Sequence, residues 1–130
     1  MSEWVVFVNV GTTPEAVYGP IWALAEEYGI KPSAVYLIYT EGSSRFLETV
    51  KRAVRVVLGK GVRFYEILVD EADIDKFVET VARHISGRKG EGRRVVVDIT
   101  AGRKTMSVAA YKAALEAGAD LITYLHLRDR

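Results

Sequence analysis

A glycine and two cations at the start of a predicted helix carry the most distinctive chemistry of this chain: Gly102, Arg103 and Lys104. They follow a run of β-branched residues at 95–97, which is typical of a strand buried on both faces of a parallel sheet. A glycine lets the backbone approach a ligand closely, and the two cations lie beside the unpaired N–H groups of a helix start. Cations are mildly unfavourable at that end of a helix, which argues against a purely structural role. The pattern therefore predicts a site for an anion such as phosphate.

Asp98 stands between the apolar run and the glycine turn. A carboxylate among apolar neighbours costs free energy unless hydrogen bonds satisfy it. We therefore expect Asp98 to brace the loop that follows it and not to face water.

A second polar loop follows the first predicted strand, residues 4–10. Thr13 is predicted to cap a helix whose first position is Pro14, so the hydroxyls of Thr12 and Thr13 would lie near unpaired N–H groups.

Apolar periodicity along the rest of the chain predicts alternating strands and helices. Gly19 and Pro20 should kink or restart the first helix, whose body would be residues 20–28. Further strands are expected at 34–40, at 62–69, around 95–97 and at 121–127. Further helices are expected from residue 46 to near 59, from the acidic start at 70–73 to residue 85, and over 105–118. The glycine-rich basic segment 87–93 is predicted to be a link.

Five strands separated by helices imply right-handed crossovers and an α/β, Rossmann-like fold, a doubly wound parallel sheet with helices on both faces. We expect one domain over residues 1–130 with the strand order 3-2-1-4-5. Ligands of such sheets bind outside the carboxyl ends of the strands, where the direction of winding reverses. The loops 11–15 and 100–105 flank that switch point, and Ser43, Ser44 and Arg45 of a neighbouring loop could reach its rim. Arg88, Lys89 and Arg93 precede a strand, so they should solvate a turn at the opposite end and not contact nucleic acid.

Composition and motifs exclude several kinds of site. The chain has 130 residues, no cysteine and a formal net charge of +1, so it forms no disulfide and attracts phosphate only through local charge. No dinucleotide-binding or P-loop glycine pattern follows a strand. His84 and His126 lie in separate elements, and the acidic start at 70–73 fits a helix dipole. We therefore expect no metal and no cofactor.

The absence of a long apolar run and of a signal-peptide pattern predicts a soluble cytoplasmic protein that binds no membrane. The lack of glutamine, a single asparagine (Asn9) and 27% charged residues favour a heat-adapted source.

The two loops together carry a family resemblance. The segment Val-Gly-Thr-Thr-Pro-Glu at 10–15 and the segment Asp-Ile-Thr-Ala-Gly-Arg-Lys-Thr-Met at 98–106 resemble the CRISPR-associated Rossmann-fold (CARF) domain family. The family commonly has two glycines where this chain has Ala101 and Gly102. The resemblance implies that both loops bind a cyclic oligoadenylate, with cyclic tetra-adenylate as the expected ring, across a two-fold homodimer and without duplex nucleic acid. The implied ligand-binding residues are Asn9, Gly11, Thr12, Thr13, Pro14, Ser43, Ser44, Arg45, Thr100, Ala101, Gly102, Arg103, Lys104 and Met106.

Many relatives carry a fused ribonuclease with an arginine–histidine motif, and neither His84 nor His126 has an arginine at the required spacing. The resemblance therefore implies a standalone ring nuclease that opens the messenger and switches type III CRISPR signalling off. In that mechanism a ribose 2′-hydroxyl attacks the adjacent phosphate and leaves a 2′,3′-cyclic phosphate. The implied catalytic residues are Lys104, Arg103, Thr12 and Thr13.

Two other functions stay open, namely a sensor or sink that binds without cleaving and a Rossmann domain for a phosphometabolite. The dimer contact is open as well. Val108, Tyr111 and Leu115 form a second apolar strip on the last helix, which could be the subunit contact or could pack within one chain.

Overall fold

A five-stranded parallel sheet forms the centre of the protein, which is described here for residues 3–126 of a computed structural model. Its strands lie in the order β3-β2-β1-β4-β5, and every neighbouring pair is parallel, which confirms the predicted topology. The strand bounds are β1 (Trp4–Asn9), β2 (Ala34–Tyr39), β3 (Arg63–Leu68), β4 (Arg94–Asp98) and β5 (Leu121–Thr123).

Helices cover both faces of this sheet, because the three central strands are apolar on both sides. Helices α1 and α2 pack on the face that presents Val6, Val8 and Val96, whereas α3 and α4 pack on the face that presents Phe7 and Val97. Their bounds are α1 (Glu15–Tyr28), α2 (Leu47–Leu58), α3 (Ile74–Gly90) and α4 (Lys104–Ala117), with a 3-10 helix (Glu41–Phe46) before α2. No helix within residues 3–126 is both long enough and apolar enough to cross a membrane.

The register of the central strands determines where they end. Val8 of β1 pairs with Leu37 of β2 on one side and with Asp98 of β4 on the other. These three strands therefore end together, and the loops that follow them meet at one edge of the sheet.

Helix α1 differs from its prediction at its start and at Pro20. Pro14 is its N-cap residue and makes no side-chain cap, so the predicted Thr13 cap was wrong. Backbone carbonyl oxygens accept the first N–H groups of the helix instead. Thr13 O accepts from Ala16 N at 3.0 Å, and Pro14 O accepts from Val17 N at 2.9 Å. The helix also continues through Gly19 and Pro20 without restarting. Burial of Pro20, Ile21 and Leu24 against the sheet offsets the backbone hydrogen bond that the proline cannot donate.

The predicted link at 87–93 was partly wrong, because α3 continues to Gly90. Side-chain contacts hold this last turn in place: Arg88 donates to the Tyr36 hydroxyl at 2.9 Å, and Lys89 pairs with Asp120 at 2.8 Å. The basic residues lie at the amino end of the sheet, as predicted, since Arg93 pairs there with Glu3 at 3.2 Å.

Strand β5 is shorter than predicted and ends at Thr123. Its pairing with β4 stops there because the next backbone N–H group, that of Leu125, donates its hydrogen bond to the Thr100 hydroxyl at 2.8 Å and not to a strand carbonyl. The remainder of the predicted strand includes Leu127, which lies outside the described residues.

Candidate ligand site at the carboxyl edge of the sheet

A cavity of about 950 Å³ opens at the carboxyl edge, where the loops after β1, β2, β3 and β4 meet. This is the switch point at which doubly wound sheets bind ligands. Its lining comprises residues 10–13, 40–43, 68–71 and 100–103, together with Ala16, Asp73, Lys76, Phe77, Thr80 and Met106.

Gly11 and Gly102 bring the loops after β1 and β4 into contact. A Cβ atom on Gly11 would lie 2.9 Å from the backbone nitrogen of Gly102, which is closer than real Cβ contacts. Gly102 has φ +88, and a Cβ there would lie 3.0 Å from the sulfur of Met106. Ala101 does not have a positive φ and is buried, so one glycine, Gly102, is sufficient for this turn where the family commonly has two.

Asp98 braces this turn, as predicted. Its Oδ1 accepts from the backbone nitrogen of Thr100 at 3.0 Å, and its Oδ2 accepts from the hydroxyls of Thr123 at 2.7 Å and Thr100 at 3.2 Å. Burial raises the pKa of the Asp98 carboxyl above its ordinary value, and these hydrogen bonds oppose the rise. The carboxyl thereby joins the end of β4, its loop and β5.

The two predicted cations stand at the start of α4. Arg103 is the N-cap residue, its side chain is 83% exposed, and its Nη1 lies 3.5 Å from Glu71 Oε1 across the cavity. Lys104 is the first residue of α4, is exposed, and lies outside the lining of the cavity. Arg103 makes no side-chain cap, so the first turn of α4 offers backbone N–H groups to an anion.

Thr12 and Thr13 line the cavity with exposed side chains, whereas Pro14 lies just outside it. Both hydroxyls can donate to a ligand in the cavity.

The loop after β2 contributes less than its sequence suggested. Ser43 lines the cavity, but its buried hydroxyl bonds the backbone of Thr40, accepting from Thr40 N at 3.0 Å and donating to Thr40 O. Ser44 and Arg45 lie outside the lining: the Ser44 hydroxyl donates to Glu41 O at 2.9 Å, and Arg45 stacks over the Phe46 ring at 4.9 Å.

Asn9 lies beneath the Gly102 turn, because a Cβ on Gly102 would be 3.5 Å from the Asn9 Cβ atom. Its side chain is buried, and neither its Nδ2 nor its Oδ1 has a hydrogen-bond partner among the described residues. Met106 lines the cavity beside this turn. Asn9 thus packs against the Gly102 turn and does not itself line the cavity.

The loop after β3 and the start of α3 line a side of the cavity that the sequence prediction did not include. Asp73 was expected only to suit the dipole of α3, and it does cap that helix, accepting from Lys76 N at 3.2 Å. The predicted strand order could have indicated that the loop after β3 lines the site, because β3 ends at the same edge of the sheet as β2 and β1.

His84 and His126 were not expected to take part in the site, and neither of them lines the cavity. Burial, together with the charges of Arg88 and Arg83, lowers the pKa of His84. Within residues 3–126 no group of three or more potential metal ligands comes together.

A family model described as CRISPR-associated protein NE0113 matches residues 13–129, which is most of the chain. It confirms the resemblance to a CRISPR-associated family that the two loop motifs indicated. No curated protein matches the chain.

Several solved structures have the same fold. Csm6 of Enterococcus italicus, bound to cyclic hexa-2′-fluoro-hexa-dAMP, has a TM-score of 0.75 at 13% identity over 98% of this chain and 34% of its own. A type III CRISPR defence DNA nuclease activated by cyclic oligoadenylate has a TM-score of 0.74 at 21% identity, over 96% of this chain and 19% of its own. Can2 from Sulfobacillus thermosulfidooxidans, in complex with cyclic tetra-adenylate, has a TM-score of 0.68 at 14% identity, over 95% and 32%. The chain thus spans about a third or less of each of these proteins, and at these identities the likeness shows the fold.

Proposed function

The chain belongs to the CRISPR-associated protein NE0113 family, and from that premise we propose that it binds cyclic tetra-adenylate across a homodimer and cleaves the ring. One observation carries the proposal: the loops after β1 and β4 touch at Gly11 and Gly102, beside the open N-terminus of α4. Backbone N–H groups, Arg103 and two threonine hydroxyls are thereby directed to one place, which suits a phosphodiester. Among the structurally similar proteins, Can2 is in complex with cyclic tetra-adenylate, the DNA nuclease is activated by cyclic oligoadenylate, and Csm6 is bound to cyclic hexa-2′-fluoro-hexa-dAMP.

The size of the cavity favours a nucleotide over a small phosphate. A volume of about 950 Å³ is near the upper end of drug-sized pockets, whereas an anion on Arg103 and the α4 N-terminus would fill only a small part of it. The apolar side chains of Phe77 and Met106, which also line it, suit a base.

A helix stripe supports the dimer. Val108, Tyr111 and Leu115 are 63%, 46% and 60% exposed in one chain, and Lys104 extends the same stripe of α4 by one turn towards the ligand site. Packing two copies through this stripe about a two-fold axis buries the apolar side chains and brings Lys104 of each copy towards a shared ring.

Ring opening in this site is a task of positioning and charge stabilisation. A ribose 2′-oxygen forms a bond to the adjacent phosphorus, the bond from phosphorus to the 5′-oxygen breaks, and the product ends in a 2′,3′-cyclic phosphate. The 2′-hydroxyl loses its proton to solvent, and the leaving 5′-oxygen takes one up. Lys104 and Arg103 stabilise the charge on the phosphate, while Thr12 and Thr13 orient it. Since no histidine lines the cavity as an evident general base, we propose slow turnover. We further propose that the reaction needs no metal.

A binding-only sensor or sink is the second candidate, because Lys104 lies outside the cavity of a single chain. A chain in which dimerisation leaves Lys104 away from the phosphate would bind the ring and not cleave it.

Binding stoichiometry tests the shared site. Titration of the protein with cyclic tetra-adenylate in a calorimeter should saturate at about one ring per two chains. Saturation at one ring per chain would contradict a shared site. If neither this ring nor other ring sizes bind but small phosphometabolites do, the proposal is wrong.

A further inference from the structure

The cavity has two sides of opposite charge. The phosphate side consists of Gly11, Thr12, Thr13, Gly102 and Arg103. The acidic side consists of Glu41, Asp70, Glu71 and Asp73, and Lys76 at the start of α3 also lines the cavity and offsets one of these four charges. Phe77 and Met106 are buried and also line the cavity, where they supply an apolar surface. A phosphate is repelled by the acidic side, so that side suits a part of the ligand that is uncharged and donates hydrogen bonds.

Glu71 is the carboxylate of the acidic side that is best placed to meet such a group. Asp70 Oδ1 accepts from Ala72 N at 2.9 Å, and Asp73 caps α3, so both are committed to the backbone of their own loop. Glu71 is the least exposed of the four residues, with a side chain that is 31% exposed. Its polar contact within residues 3–126 is the long ion pair with Arg103, at 3.5 Å.

Resting on the proposed function, we propose that Glu71 determines base specificity by accepting the exocyclic amino group of adenine. A carboxylate offers only acceptors, so it favours the amino group of adenine and disfavours the carbonyl oxygen that hypoxanthine has at that position. The base packs on Phe77 and Met106. A phosphate on the other side competes with Glu71 for Arg103, and the adenine amino group then replaces the guanidinium as the donor to Glu71.

The test compares two ring ligands on three proteins. Dissociation constants for cyclic tetra-adenylate and cyclic tetra-inosinate are measured by calorimetry on the wild type, on Glu71→Gln and on Glu79→Gln. The glutamine amide has both an acceptor and a donor, so it can satisfy either base. Glu79 is an exposed residue of α3 outside the cavity, which makes Glu79→Gln the matched control.

We expect the wild type and Glu79→Gln to prefer the adenine ring by at least about tenfold, the scale of one hydrogen bond to a charged group. In Glu71→Gln the ratio should fall to within about threefold of unity. Loss of the Arg103 contact affects the binding of both rings alike. The ratio of the two dissociation constants therefore reports recognition of the base alone. Equal binding of both rings by the wild type, or an unchanged ratio in Glu71→Gln, overturns the role of Glu71 and leaves the proposed function standing. A wild type that binds neither ring overturns both.

Discussion

At the scale of single residues, Gly102 allows the loops after β1 and β4 to pack against each other. It has a positive φ, a Cβ on it would lie 3.0 Å from the Met106 sulfur, and its backbone nitrogen would lie 2.9 Å from a Cβ on Gly11. The first two constraints explain why position 102 needs a glycine, and the third explains why position 11 needs one.

Substitution Gly102→Ala should therefore lower stability and abolish ligand binding together. The left-handed backbone costs about 1 to 2 kcal/mol, and the contact with Met106 adds about 1 kcal/mol or more. Gly29→Ala is the control, because Gly29 has φ +65 but a Cβ there would meet nothing within 4 Å. Urea unfolding should show a loss for both variants, whereas cyclic tetra-adenylate titration should show lost affinity for Gly102→Ala alone. Full affinity in Gly102→Ala would remove this turn from the site.

Asp98 gives a prediction about pH. Burial raises its pKa in the folded chain above the ordinary value of 3.8, so the folded state holds the proton more tightly than the unfolded state. Its contribution to stability is present at low pH and is lost as the pH rises through the raised folded pKa. The free energy of unfolding of the wild type relative to Asp98→Asn should therefore increase as the pH falls from about 8 to about 4. Parallel pH profiles for the two proteins would show that Asp98 does not titrate in this way.

The role of a single residue was predictable from the sequence where it depended on the residue type and on its position in a motif. The brace formed by Asp98 and the turn at Gly102 follow from a lone carboxylate and a glycine at a strand end. The roles of Ser43 and Asn9 were not predictable in that way. The Ser43 hydroxyl is bonded to the backbone of Thr40. The Asn9 amide has no hydrogen-bond partner among residues 3–126, and its burial depends on the Gly102 turn that packs against it.

At the scale of elements, α4 links the ligand site to the proposed subunit contact. Its small residues Ala109, Ala110 and Ala113 are buried in the core. Its opposite stripe, with Val108, Tyr111 and Leu115, is left exposed in one chain.

Substitution Tyr111→Glu should dissociate the proposed dimer, because it places a charge in the middle of the apolar stripe. We expect the dimer dissociation constant to rise at least about tenfold, measured by analytical ultracentrifugation. Tyr28→Glu, at an exposed tyrosine that ends α1, is the control and should leave the mass unchanged. An unchanged dimer mass for Tyr111→Glu would contradict the contact.

Element types and order were predictable because hydrophobic periodicity and short connections restrict a chain of alternating strands and helices to few topologies. Element ends were not, for reasons particular to each. Pro20 stays inside α1 through tertiary packing, and the last turn of α3 is held by Arg88 and Lys89. Strand β5 ends because the backbone N–H of Leu125 donates to the Thr100 hydroxyl.

At the scale of the whole molecule, the cavity joins four loops, whereas the sequence motifs pointed chiefly to two. The acidic side lies on the loops after β2 and β3, and two of its carboxylates, Asp70 and Asp73, bond the backbone that leads into α3. Their place in the cavity follows only from the three-dimensional adjacency of β3 and β2. The charge asymmetry of the cavity is therefore a property of the fold as a whole.

The most direct test of ring cleavage is a single-turnover reaction of the pure protein with labelled cyclic tetra-adenylate in excess EDTA. We predict linear di- or tetra-adenylate that ends in a 2′,3′-cyclic phosphate. Lys104→Ala should slow the reaction by about 10² to 10³-fold, the usual effect of removing one group that stabilises transition-state charge. Lys60→Ala, which changes an exposed lysine after α2 and outside the cavity, should react at the wild-type rate. A ring that stays intact on the wild type, or a Lys104→Ala variant that cleaves at the wild-type rate, would contradict the account.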